Sequence, residues 1–96
     1  MNLTSKQRAA LRAQANQLDA ILQVGKSGLT ENLTKQLDDA LTARELVKGM
    51  VLEASPLTAR EAAQALADAA NAAVVQVIGR RFVLFRRNDE KPIIEL

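Results

Sequence analysis

The stretch Gly25-Lys26-Ser27-Gly28 holds the residue types best suited to chemistry in this chain. Two glycines around a lysine let backbone amides approach an anion closely, and the ammonium adds a mobile positive charge. The natural anion for such a loop at the start of a helix is a phosphate. Three uses compete. A nucleotide-binding P-loop needs a further glycine five residues before Gly25, so that the loop can wrap the phosphates. That position is Ala20, inside the apolar run 20–24, so the P-loop geometry is missing. The second use is a Gly-x-x-Gly clamp on a sugar–phosphate chain, with Lys26 and Ser27 at its centre and Thr30 opening the next helix. The third is an ordinary turn that needs a positive φ at Gly25 or Gly28.

Composition narrows the field. The chain has 96 residues, no cysteine and no histidine. Disulfides and thiolate metal sites are excluded, and the usual metal ligand and general base at neutral pH are missing. Asp38 and Asp39 are adjacent, point to different parts of a helix surface and make a poor acid/base pair; they read as solvated. No enzyme activity, cofactor or metal is expected. The length suits one domain, residues 1–96, with a short tail over 88–96. A domain of this size buries roughly 60–65% of its unfolded surface, so modest stability is expected. The N-terminus lacks the apolar region of a signal peptide, and no apolar run approaches the ~20 residues of a bilayer span. A soluble cytoplasmic protein is expected.

Net charge is +2, but it is unevenly spread: +3 over residues 1–29, −3 over 30–78 and +2 over 79–96. A fold that gathers the ends and the loop would create a basic surface, the electrostatic footprint of a nucleic-acid binder. Its cations would be Lys6, Arg8, Arg12, Lys26, Lys48, Arg80, Arg81 and Arg86. The plainer alternative is a solvated surface of mixed charge. Strand alternation puts Arg86 on the face of Phe82 and Leu84, and Arg87 on the face of Val83 and Phe85. Charge at a strand end also protects an edge from pairing, so the arginines have two readings. Phe82 and Phe85 are the only aromatics and read as core residues. Binding should then rest on phosphate contacts and shape more than on base stacking.

These residues need elements to position them. Thr4 or Ser5 can cap a first helix over 5–16, with Arg8 and Arg12 one turn apart on one face. Residues 20–24 read as a buried first strand. After the loop, Thr30 can cap a second helix over 31–43, whose Leu33, Leu37 and Leu41 form one stripe. A second strand is expected over 45–53, where Lys48 must reach water or an anion because burying it unpaired is costly. Thr58 and Glu61 form a capping box for a third helix over 59–72. A third strand over 74–78 and a fourth over 82–87 flank a short break that suits an antiparallel hairpin. Residues 93–96 are an apolar tail that docks on the body or adds an edge strand. The order α-β-α-β-α-β-β describes an α/β (α+β) two-layer sandwich with a mixed sheet, the crossover helices on one face.

The segments 4–12, 24–30, 45–48, 77–80 and 83–86 together resemble the CRM (chloroplast RNA splicing and ribosome maturation) domain, in its bacterial single-domain YhbY-type form. The similarity spans nearly the whole chain, in order and at matching spacing. It implies a fold similar to the C-terminal domain of translation initiation factor 3, with four strands in the order 1-2-4-3 and the last antiparallel. It also implies RNA binding, association with precursors of the large ribosomal subunit, and a Gly-x-x-Gly loop at residues 25–28. Phe85 departs from the pattern, standing where relatives commonly have tyrosine. Gly49 replaces a more usual β-branched residue and is expected to weaken the second strand locally. The expectation is a monomeric, non-enzymatic RNA-binding module without small-molecule substrate or membrane partner. The alternative is an adaptor whose basic surface docks an acidic protein.

Overall fold

The computed structural model describes residues 2–94. Its elements are α1 (Ser5–Ala15), β1 (Ala20–Val24), α2 (Glu31–Arg44), β2 (Leu46–Val51), α3 (Ala59–Ala70), β3 (Ala73–Ile78) and β4 (Arg81–Phe85). The order matches that read from the sequence, and caps explain the helix starts. The Thr58 hydroxyl accepts the Glu61 N–H while the Glu61 carboxylate accepts the Thr58 N–H. Thr4 and Gln7 make the same reciprocal pair at α1. The Thr30 hydroxyl accepts the Leu33 N–H at α2. Each cap satisfies an amide that the helix leaves orphaned.

The sheet runs β1-β2-β4-β3, with β1 and β2 parallel and β4 antiparallel to both its neighbours. Hence β1, β2 and β3 all point the same way. Leu22, Val24, Val47, Val51, Phe82 and Leu84 face α2 and α3 and meet Leu33, Leu37, Leu41 and Leu66 there. Alternation sends Leu46, Val83 and Phe85 to the opposite face, where Leu11 and Ala15 of α1 cover them. Both phenylalanines are fully buried, one on each face.

Gly49 has a packing reason beside its expected local cost to the strand. A Cβ there would lie 2.5 Å from the ring of Phe82. The missing side chain makes the room in which that ring is buried, and a β-branched residue would collide with it.

The second strand also starts one residue later than expected, because Glu45 ends α2 with φ 63°. Its side chain is fully buried. The carboxylate accepts the backbone N–H groups of Asn88 (2.5 Å), Ile93 (2.7 Å) and Ile94 (2.7 Å). Burial pushes the Glu45 pKa up, but the amides of Asn88, Ile94 and Ile93 and the charge of Arg87 outweigh it, so the carboxyl sits below its ordinary value. Glu45 therefore straps residues 88–94 onto the body, and Ile94, like Leu3 and Leu18, packs against the α1 cluster. Among the described residues the tail docks and forms no edge strand; residues 95–96 of the expected tail lie outside them.

Candidate functional site

The turn after β1 closes with the Gly28 N–H donating to the Gly25 carbonyl at 3.0 Å. That leaves Lys26 and Ser27 at the two central positions, both exposed. Gly28 is buried with φ +67°, and a Cβ on it would come within 3.2 Å of Pro56. The positive φ that the sequence allowed at either glycine thus falls on Gly28; Gly25 has no such requirement. Beside the turn runs an open groove of about 340 Å³ bordered by Gln23, Lys26, Asn32 and Gln36, with Thr30 and Leu33 also in its lining. The three carboxamides escaped the sequence reasoning. Their signal was present in the i, i+4 spacing of Asn32 and Gln36, off the leucine stripe.

Strand direction brings a second basic segment to the same end of the sheet. The loop 25–28 follows β1, residues 52–57 follow β2, and Gly79-Arg80 joins β3 to β4. Hydrogen bonds tie these segments together. The Leu52 N–H donates to the Val24 carbonyl, and the Val51 N–H donates to the Arg80 carbonyl, each at 2.8 Å. Val24 and Val51 are register partners, so the Arg80 backbone stands two strand spacings from Val24, about 10 Å away. Lys26, Arg80 and Arg81 are all exposed on this rim, and Glu53 is an exposed acid in the same set of loops. None of the three cations has a side-chain hydrogen bond or ion pair among the described residues.

Other cations proposed from the sequence are turned inward. A guanidinium nitrogen of Arg8 donates to the Val74 carbonyl, beside the irregularity in the β3 ladder. The Lys48 ammonium donates to the Ala15 carbonyl at the end of α1, 3.3 Å away. Arg86 donates to the Asp38 carboxylate (2.6 Å), the Asp38 carbonyl (3.1 Å), the Thr42 hydroxyl (2.9 Å) and the Ala70 carbonyl (2.9 Å). It reaches these groups from the face of Phe82 and Leu84, as alternation required. Asp38 is therefore an ion-pair partner as well as a solvated acid, while Asp39 pairs with Lys35 at 3.4 Å. Lys6 is exposed at the start of α1, and Arg12 is half-buried one turn beyond Arg8. Among the described residues no three metal-ligating side chains cluster, and no helix is long and apolar enough to cross a membrane.

Comparison with known proteins gives a consistent family. Residues 3–86 match the model of the CRS1 / YhbY (CRM) domain. The Bacillus subtilis protein named "Probable RNA-binding protein YqeI" is 42% identical over 94 residues, covering 98% of each chain. A Haemophilus influenzae protein named "RNA-binding protein" is 34% identical over 91 residues, covering 95% of this chain and 92% of its own. The solution structure of SAV1595 from Staphylococcus aureus superposes with a TM-score of 0.81 at 43% identity, covering 99% of both chains.

Proposed function

The chain belongs to the CRS1/YhbY (CRM) domain family, and we propose that it is an RNA-binding module that holds the sugar–phosphate backbone on its loop rim. The observation that carries this reading is the meeting of the Gly25–Gly28 turn with Arg80 and Arg81 at one end of the sheet. In this reading the turn offers the exposed Lys26 and Ser27 to a phosphate, and the two exposed arginines take neighbouring phosphates of the chain. Lys6 and Arg12 extend positive charge along α1. Arg8, Lys48 and Arg86 contribute long-range potential while their donors hold the fold. The names of the relatives support RNA as the partner. The resemblance to ribosome-maturation domains supports ribosomal RNA in precursors of the large subunit as the target. In this reading the chain acts as a monomeric, non-enzymatic single domain, an assembly factor that binds and does not catalyse.

The test is RNA binding measured between 50 and 200 mM salt, roughly the range over which counterion release changes affinity most visibly. Lys26→Ala should weaken binding several-fold and reduce the salt slope by about one. The variant Lys26→Ala/Ser27→Asp places a negative charge in the turn without touching Gly28, whose positive φ a side chain would strain. If it folds and binds RNA as the parent does across that range, the loop has no part in binding. An absence of RNA affinity in the parent at moderate salt, with a complex that survives nuclease, would favour the acidic-protein adaptor.

A further inference from the structure

We propose that the groove beside the turn is a base-reading subsite, which takes one unpaired nucleobase, adenine by preference, while the turn holds its phosphate. The proposal rests on the RNA-binding reading and specifies what kind of RNA the site accepts. Two grooves flank α2, and their chemistry differs. The one against α3 is lined by Glu31, Asp38 and Lys35, two acids against one cation, with Asp38 already paired to Arg86. The one against β1 has Lys26 as its single charged residue and no acid. Its other reaching side chains are Gln23 from β1 and Asn32 and Gln36 from successive turns of α2. All three are exposed and make no side-chain hydrogen bond among the described residues. A carboxamide offers an N–H and a C=O side by side, which is the complement of one edge of adenine.

Position adds the second argument. The groove borders the same turn that presents Lys26, so a phosphate on the turn leaves its own base within reach of the groove. A base inside a duplex keeps its edges paired and stacked, whereas an unpaired one can be splayed out and read. Leu33 and Thr30 also line the groove and add apolar surface suited to the flat face of such a base. With two phenylalanines in the chain, both fully buried, edge contacts must replace aromatic stacking.

The experiment compares binding of homopolymeric oligoribonucleotides of A, U and C, and of a fully paired RNA of equal length, to the parent and to Asn32→Ala/Gln36→Ala. Both substituted positions are exposed on a helix and alanine favours helix, so the variant should fold; its urea midpoint checks this. The parent should prefer oligo(A) to the other single strands by about tenfold, and to the duplex by more. The variant should lose that preference and keep its salt slope. Equal binding of all bases, preference for another base, or an A preference that survives the double substitution overturns the subsite. In each of these results RNA still binds, so the backbone-holding reading stands. Only a parent that binds none of the RNAs removes both.

Discussion

Arg86 and Arg80 lie six residues apart, on either side of β4, and do opposite things. Arg86 has two nitrogens spent on four acceptors from α2 and α3. Arg80 offers its carbonyl to Val51 and leaves its guanidinium in water. The same division runs through the molecule. Arg8, Lys48 and Arg86 each reach a backbone carbonyl: at a ladder irregularity, at the end of α1, where Ala15 also accepts the Leu18 N–H, and at the end of α3. A cation at a helix C-terminus also meets the negative end of the dipole. Lys26, Arg80 and Arg81 sit at the end of the sheet where turns already close their own hydrogen bonds, so their charge has no internal use. A basic residue is therefore available to a polyanion where no backbone carbonyl takes up its donors.

That contrast can be broken by removing Arg86, the largest effect expected. Arg86→Ala leaves the Ala70 carbonyl without its donor and unties Asp38 from β4. The site is partly buried, with the Arg86 side chain about one-fifth exposed. Loss of charged hydrogen bonds there should cost about 2–3 kcal/mol. Urea unfolding would show it as a lower midpoint with unchanged slope. RNA affinity of the folded fraction should change by less than about threefold, as for a phosphate-distant charge. A stable Arg86→Ala protein with sharply weakened RNA binding would put Arg86 on the interface and end the division.

Glu45 is the acidic counterpart of Arg86, and pH can address it. Its folded pKa lies below the ordinary value of 4.5, so its contribution to stability is present above that value and is lost as pH falls through the folded pKa. Glu45→Gln keeps the shape and the left-handed backbone but turns an amide N–H toward backbone donors. Near neutral pH the variant should be less stable by about 1–3 kcal/mol, because a buried donor is left without an acceptor. As pH falls below 4.5 the parent should approach the variant. Parallel midpoint-against-pH curves for the two proteins would mean that the carboxylate does not hold the strap. RNA binding at neutral pH should be unaffected, since residues 88–94 lie away from the loop rim.

The sequence makes some of this legible. Capping residues, the leucine stripe of α2 and the alternation in β4 are local signals, and each fixes an element or a face within a few residues. Arg86 was placed on its face by alternation alone. The partners of the cations are not local: Arg8 bonds a residue 66 positions away, Lys48 one 33 away, and Arg86 one 48 away. The acceptors are mostly backbone carbonyls, which carry no residue-type signature. For the same reason Glu45 looked like the first residue of a strand, although its carboxylate organises the tail through three backbone amides. The need for glycine at position 49 is set by Phe82, 33 positions later and one strand over. The loop itself was legible because its glycines, lysine and helix cap are contiguous.

The smallest expected effect sharpens the rim most directly. Glu53 is the exposed acid among the rim loops, against Lys26, Arg80 and Arg81. If those three cations hold RNA through charge, Glu53 opposes them. At a separation near one Debye length the opposition is weak, about 0.3–0.6 kcal/mol. Glu53→Gln should therefore raise RNA affinity about two- to threefold at low salt, with the gain fading as salt rises. Its thermal stability should stay put, because the residue has no described ion pair or side-chain hydrogen bond to lose. The same neutralisation at Glu90, on the strapped tail, provides the control and should leave affinity unchanged. An equal gain from both substitutions would show that overall charge, and not the loop rim, draws the RNA.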